Sequence, residues 1–331
     1  MSNWPDVAVI MPVLNEENYL EAAVEAVFAQ NYPGSISLVL ALGPSRDGTN
    51  QLAKKISNKF KSVVLVESPT GRTAESLNLA IANCKEEIIV RVDAHSELSS
   101  GYIETAVETL QGTGADNVGG IMAAQGKTKF EKAVAAAMTS KLGVGGAPFH
   151  TGGQEGPAES VYLGVFKREA LNRVGGFDSK FTRAQDWEMN HRIRSTGGKV
   201  WFNPHLVVTY RPRPNLFKLA KQYFQYGTWR REVMRTHPET VKRKSALRYL
   251  VPPTAVIGLG LGTAFGVYGV QRDSLAILGF FPALAYFAFT ILSTISLAKK
   301  AKEGTYLLPI VLPTMQLTWG LGFLVGKYFK N

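Results

Sequence analysis

The chain has 331 residues, a mean hydropathy of −0.01 and a formal charge of +11. Its single cysteine, Cys84, excludes an intrachain disulfide and with it the small disulfide-stapled class. The near-zero hydropathy averages two unlike parts: roughly 250 residues of mixed charged and apolar positions, large enough for one sizeable domain, and then three uncharged apolar stretches, Leu250–Val270, Ser274–Ala298 and Thr305–Gly326.

The predicted elements alternate from the start. Val7–Met11 is a short apolar run ending at Pro12, which reads as a buried strand. From Glu16 to Gln30 apolar residues recur at helical spacing (Leu20, Ala23, Val24, Val27, Phe28). Ser37–Leu42 reads as a second strand, with a Gly43–Gly48 turn and a helix near Asn50–Phe60. Val63–Val66 is a third strand, and Gly71 precedes a helix over Thr73–Asn83. Glu87–Val92 is a fourth strand, ending at Asp93-Ala94-His95. This alternation predicts a mainly parallel sheet with helices on both faces, with ligands at the carboxyl ends of the strands. Asn15, Asp47 and Asp93 all follow predicted strands.

Glycines at 143, 145, 146, 152, 153 and 156 break any pattern from Lys141 to Glu159, which reads as a long binding loop or lid. Val161–Phe166 resumes as a strand, Arg168–Val174 as a helix, Gly175–Asp178 as a turn and Ala184–Ser195 as a helix. Lys199–Phe202 is a last short strand before Pro204.

Between Arg211 and Arg248, eleven Lys/Arg stand against two acids, Glu232 and Glu239. A basic run directly before an apolar stretch suits an anionic membrane leaflet. Nucleic acid is not the expected partner, because neither zinc-ligand spacing nor an aromatic ribonucleoprotein signature is present. Each apolar stretch has at least 21 residues, and ~20 helical residues cross a bilayer core. The expected domains are therefore 1–210, a basic amphipathic juxtamembrane segment over 211–249, and a transmembrane region of about three helices over 250–331.

Met1–Asp6 lacks the pattern of a signal peptide. Arg243, Lys244 and Arg248 precede the first stretch, and Lys299, Lys300 and Lys302 follow the second, whereas Gln271-Arg272-Asp273 has no net charge. The positive-inside rule then predicts a multi-pass protein of the cytoplasmic membrane, with the catalytic part in the cytoplasm and the C-terminus outside. Lys327 and Lys330 run against that assignment, and Pro309 and Pro313 leave a re-entrant or interfacial third segment as an alternative.

Two motifs carry chemistry. In Arg91-Val92-Asp93-Ala94-His95 a carboxylate and an imidazole two residues apart can face one cation, Mg²⁺ or Mn²⁺ by donor type. The bland alternative is a helix-capping aspartate. In Gln185-Asp186-Trp187-Glu188, Asp186 suits either a helix cap or a general base, and Trp187 suits a wall for a sugar ring.

Six motifs occur in one order: Pro12-Val13-Leu14-Asn15-Glu16, Ser45–Thr49, Gly71-Arg72 with Asn78, Asp93-Ala94-His95, Gly175–Asp178 and Gln185-Asp186-Trp187. In this order the chain resembles the family-two inverting glycosyltransferases over residues 5–235. Within them it is most similar to the membrane-attached group that includes succinoglycan-type exopolysaccharide glucosyltransferases.

The resemblance implies an α/β GT-A (Rossmann-like) nucleotide-sugar-binding domain followed by a C-terminal helical transmembrane region. It implies a nucleotide-diphosphate sugar donor, a UDP-sugar first and a GDP-sugar second. The implied acceptor is a polyprenyl-linked or polysaccharide hydroxyl, with membrane lipids as further partners. By the resemblance Asp186 is the catalytic base, Asp93 and His95 hold the divalent cation, and Pro12, Asn15, Glu16, Arg72, Asn78, Arg91 and Asp93 bind the nucleotide sugar. Trp187, Gln222, Tyr226, Trp229 and Arg230 form an acceptor and closing group.

Two departures stand out. No carboxylate ends the second strand at Ala41–Ser45, where the family has an acid for the base, and Gln185 replaces the usual Glu. A sugar-phosphate nucleotidyltransferase needs a Gly-rich phosphate loop that Pro12–Glu16 lacks. A non-catalytic sugar-nucleotide-binding membrane scaffold remains the alternative that the missing acid supports.

Overall fold

The computed structural model describes residues 4–241, 244–272 and 275–328. The expectations placed on Met1–Asn3, Arg243, Asp273, Ser274 and Lys330, and on the side chains of Lys244 and Lys327, lie outside what is described. Contacts divide the chain into two compact units: Met1–Ala123 with Pro148–Tyr210, and Ala124–Ala147 with Arg211–Asn331. The expected boundary at 210 therefore has one internal exception, because Ala124–Ala147 leaves the first unit and packs with the C-terminal helices.

The first unit holds a nine-stranded sheet. Its strands are β1 (Val7–Val13), β2 (Ile36–Leu42), β3 (Val63–Glu67), β4 (Ile88–Arg91), β5 (Glu97–Leu98), β6 (Asn117–Ala124), β7 (Gly156–Pro157), β8 (Tyr162–Lys167) and β9 (Val200–Tyr210). The order is β3-β2-β1-β4-β8-β6-β9-β5, with β7 also on β9. The predicted parallel arrangement holds for β3, β2, β1 and β4. It ends at β4, where β8 and then β6 join antiparallel, as do β5 and β7 on β9. The last strand also outruns its expected end at Pro204. That proline falls between the residues paired with β7 and those paired with β5, a gap that suits a residue with no N–H to donate.

Period-2 alternation builds both faces. Val7, Val9 and Met11 point into one buried cluster, and Ala8 and Ile10 into the other. The first cluster receives α1 (Leu20–Phe28), α2 (Thr49–Lys59) and α4 (Tyr102–Thr113) through Leu20, Val24, Ala53, Ile56, Ile103 and Ala106. The second receives α3 (Thr73–Ala82), α8 (Arg168–Val174) and α9 (Gln185–Ser195) through Ala74, Leu77, Leu171, Met189 and Ile193. Helices on both faces over a parallel half-sheet put the ends of β1, β2 and β4 along one edge, which is where the candidate residues gather.

The second unit is helical. Its internal excursion carries α5 (Lys129–Met138) and α6 (Lys141–Val144), and the glycine-rich region predicted as a loop thus begins with a helical turn and holds another, α7 (Pro148–Thr151), in the first unit. A capping box starts α5: Glu131 N–H donates to Thr128 Oγ1 at 3.2 Å, and Glu131 Oε2 accepts from Thr128 N–H at 2.9 Å. Asn215 caps α10 (Leu216–Thr236) by accepting from Lys218 N–H at 2.9 Å. Then come α11 (Val251–Arg272), α12 (Phe281–Ala301) and α13 (Leu308–Val325). Pro309 sits in the first turn of α13, where no intrahelical bond is lost, and Pro313 is tolerated inside it. The helical stretches Leu247–Arg272 and Leu275–Val325 have mean hydropathies of 1.6 and 2.1, and both are long and apolar enough to cross a membrane.

Candidate active site

At the centre of the strand-end edge is one guanidinium between two carboxylates. Arg91, the last residue of β4, is 5% exposed. Its Nε and Nη2 donate to Asp93 Oδ1 at 3.2 and 3.1 Å, and its Nη1 pairs with Asp186 Oδ1. The plane of the group also lies over the Phe177 ring, 5.8 Å from its centroid. Sequence motifs at 91–93 and 185–187 thus meet in space, across 95 residues of chain.

Burial pushes the Asp186 carboxyl up, Arg91 pulls it back down, and the nearby Asp93 charge adds to the upward push. The balance is upward, so this partly exposed carboxyl holds a proton more readily than a free aspartate, and Arg91 limits the rise. Arg91 itself is held charged by Asp186 and Asp93 against the opposing effect of burial. Tyr162 faces the same group: burial and the Asp93 charge hold its phenol protonated. Its position carried no sequence signal, because β8 reads as a plain buried strand.

The turn before α9 is strained where it presents Asp186. Ala184 adopts φ 62°, a left-handed conformation that alanine disfavours. The following helix is fixed from below by Arg192, which bonds both oxygens of Glu188 at 2.6 Å and the carbonyls of Val174 and Gly176 at 2.5 and 2.8 Å. Trp187 stacks on His191 one turn on, with centroids 5.4 Å apart.

Asn78, expected to bind the nucleotide sugar, hydrogen-bonds the backbone of Phe177. Its amide N donates to Phe177 O and its Oδ1 accepts from Phe177 N–H, both at 2.8 Å. Both polar atoms thus hold the turn that carries the ring beneath Arg91. A Cβ on Gly176, at φ +73°, would lie 2.6 Å from Asn78 Oδ1, so the glycine is required there.

The loops after β1 and β2 are sewn together. Asn15, at φ 57°, donates its N–H to Ser45 Oγ at 3.0 Å and accepts from Arg46 N–H at 2.8 Å. Glu16 N–H donates to Thr49 Oγ1 at 2.8 Å. Asp47 behaves as a turn residue: it accepts from Thr49 and from Glu17 N–H, and the Thr49 hydroxyl holds its carboxyl below the usual range. Within Ala41–Ser45, where no acid stands, a Cβ on Gly43 would lie 2.8 Å from Gly71 Cα and 2.9 Å from Leu14 Cδ1. Close approach of the β2 and β3 loops therefore excludes any side chain at Gly43. Pro12 lies within β1 opposite Ala41, and Arg72 pairs on the surface with Glu75 at 2.9 Å.

The residues present fit a hard divalent cation. Among the described residues, Arg91 engages only Oδ1 of Asp93, so Oδ2 has no protein hydrogen bond. His95 Nδ1 lies 2.8 Å from Glu16 Oε1. A carboxylate that orients an imidazole through one nitrogen is a common support for metal ligation through the other. One carboxylate and one imidazole leave most positions to substrate phosphate and water, as Mg²⁺ and Mn²⁺ sites do. Glu16 thereby has a partner that sequence reading did not give it. Gln222, Tyr226, Trp229 and Arg230 all lie on α10 in the second unit, where Gln222 Nε2 donates to Tyr226 OH at 2.8 Å.

A parallel half-sheet with helices on both faces, extended by antiparallel strands and carrying carboxylates at its strand ends, is a GT-A-type fold. The family model for glycosyl transferase family 2 matches residues 8–175, and the chain belongs to that family. It is 30% identical over 319 residues to the succinoglycan biosynthesis protein ExoA of Rhizobium meliloti (strain 1021), covering 95% of this chain and 93% of that one. It is 23% identical to a dolichyl N-acetyl-α-D-glucosaminyl phosphate 3-β-D-2,3-diacetamido-2,3-dideoxy-β-D-glucuronosyltransferase of Methanococcus voltae, over 98% of both chains. Among solved structures, the mannosyltransferase PcManGT of Pyrobaculum calidifontis, in complex with GDP-Man and Mn²⁺, superposes with a TM-score of 0.64 at 19% identity, covering 98% of this chain and 89% of that one.

Proposed function

We propose that this family 2 glycosyltransferase moves a sugar, with inversion, from a nucleotide-diphosphate sugar to a hydroxyl of a lipid-linked or polysaccharide acceptor at the cytoplasmic face of the membrane. The observation that carries the reading is the Arg91 guanidinium gripping Asp93 and Asp186 at the carboxyl ends of the parallel strands. The relatives support the acceptor class: one is a succinoglycan biosynthesis protein, another acts on a dolichyl-phosphate-linked sugar by its name.

Asp186 takes the proton of the acceptor hydroxyl, whose oxygen attacks the anomeric carbon from the face opposite the diphosphate. An α-linked donor gives a β product. Arg91 opposes the upward push of burial on the Asp186 carboxyl. Asp93, through Oδ2, and His95, oriented by Glu16, hold the divalent cation. When bound, that cation neutralises charge on the departing diphosphate. Asn15 and Arg72, on the loops beyond β1 and β3, line the nucleotide side. The neighbour bound to GDP-Man keeps GDP-sugars beside UDP-sugars as donors. The apolar helices anchor the enzyme, and the basic segment before α11 faces anionic lipid.

The test uses the protein purified in detergent, a panel of UDP- and GDP-sugars, and nucleotide release with Mn²⁺, Mg²⁺ or chelator. Turnover with one donor and one cation, lost with chelator and in Asp186→Asn, is the expected result. Full turnover by that variant removes Asp186 as the base, and full turnover in chelator removes the metal.

A further inference from the structure

The three apolar helices are not alike. In α11, thirteen of twenty-two residues are exposed, and in α12 twelve of twenty-one, including Leu261, Phe265, Leu284, Phe287, Leu292 and Ile295. In α13 only Ile310 and Leu321 are exposed among eighteen residues. Exposed apolar surface on two helices marks the face that meets hydrocarbon, whereas α13 is covered by protein.

What covers α13 fixes where its ends lie. Its C-terminal half packs on α10: Gly322 approaches the backbone of Phe224, Gly227 approaches Trp319 O, and Thr228 Oγ1 donates to Gly322 O at 3.2 Å. Arg231 donates to the carbonyls of Phe323 and Leu324 at 3.1 and 2.6 Å, satisfying acceptors of the last turn. At the other end, the Lys302–Leu307 turn before α13 packs on α5. Gly304 would carry a Cβ 2.8 Å from Ala133 N, Glu303 pairs with Lys132 at 3.0 Å, and Lys300 Nζ donates to Thr139 O at 2.7 Å. Midway, Gln316 accepts from Tyr286 OH at 2.8 Å and donates to Leu142 O at 2.7 Å.

Both partners are tied to the sheet by short chain. Residues 211–215 join β9 to α10, and residues 125–128 join β6 to α5. Neither helix can cross a bilayer. Along its length α10 carries Lys218, Lys221, Arg230, Arg231, Arg235 and Glu232, and charges at bilayer depth are strongly disfavoured. Each of the two helices therefore starts on the same face of the membrane as the strand it follows in the chain, and the ends of α13 packed on them share that face.

The geometry points to a tail that crosses the membrane twice, as an α11–α12 hairpin, with α13 held on the catalytic side and the C-terminus returned to that side. This rests on the membrane attachment proposed above and replaces the outside C-terminus expected from charge bias. The hairpin is closed on itself: Gly266 of α11 would carry a Cβ 2.8 Å from the Phe280 ring, and Gly262 one 2.6 Å from Gly279 O. α11, of 22 residues, is ~33 Å long, matched to a ~30 Å hydrocarbon core, and the return limb starts at Leu275, because the 275–280 turn packs back along α11 until Pro282 lies level with Gly262. Arg248 before α11 and Lys299, Lys300 and Lys302 at the end of α12 sit at the same end of the hairpin, facing anionic headgroups.

The test uses the full-length protein with one epitope at each terminus, in sealed inverted vesicles and in spheroplasts. A Cys84→Ser, Leu275→Cys variant adds a thiol at the far end of the hairpin for an impermeant maleimide. The expected result is that protease removes both epitopes in the same preparation, while the thiol at position 275 is labelled only in the other. A C-terminal epitope protected where the N-terminal one is cleaved means three crossings and overturns the proposal. Access to all three sites from one face means no crossing, which overturns the membrane reading while leaving glycosyl transfer in detergent as a separate result. The epitopes give their answer without the cysteine variant.

Discussion

The two units solve opposite problems of burial. In the first, charges lie inside: Arg91 is 5% exposed and Glu188 1%, and each is satisfied by an ion pair of fixed geometry. In the second, apolar side chains lie outside: Leu261 is 69% exposed, Leu278 68% and Phe281 72%. Burial from water explains the first pattern, and the membrane attachment proposed above accounts for the second. The contrast teaches that charge can be buried where its partner is held in fixed geometry, and that small residues let helices approach to backbone contact.

The largest expected effect tests the charged centre directly. Asp186→Asn should cut kcat by ~10²–10⁴ with little change in donor KM, because general-base help acts only in the transition state. A proportionate rise in KM instead would make Asp186 a binding residue.

Arg91→Met should follow. It leaves Asp93 and Asp186 without their buried counter-charge, a loss of ~3–5 kcal/mol for a broken buried pair, read by thermal unfolding in detergent. It also has a signed consequence for pH. Burial already raises the Asp186 pKa and Arg91 lowers it, so removing Arg91 raises it further. The acid limb of the pH–rate profile should move to higher pH. Because the folded state then holds that proton more tightly, stability should fall as pH rises through the raised value. An unmoved acid limb would break the link between the two residues.

In the second unit the matching test is Gly227→Val. Its Cβ would meet Trp319 O on α13, and overpacking of this kind costs ~1–3 kcal/mol. A lowered melting temperature in detergent is expected, and an unchanged one would deny the close packing of α10 on α13.

The smallest effect is Asn78→Ala, which removes two bonds to the Phe177 backbone, about 1–2 kcal/mol. The assignment of Asn78 as a clamp predicts lost stability with donor KM nearly unchanged. A large KM effect with no loss of stability would return it to the nucleotide site.

Local chemistry alone set the elements of the first half. Alternating apolar runs, turn glycines and strand-end acids made β1 to β4, their helices and the positions of Asn15, Asp93 and Asp186 legible, because each signal lies within a few residues of chain. Three long apolar helices were legible for the same reason. Tertiary structure alone decided the rest. Antiparallel pairing after β4 depends on strands far apart in sequence, and the Arg91 bridge joins residues 95 apart. The two commitments of the Asn78 amide are likewise made 99 residues away, at Phe177. The different fates of α11, α12 and α13 follow from what covers each one. Hydropathy records only that a helix can be buried, whereas its neighbours determine whether lipid or protein buries it.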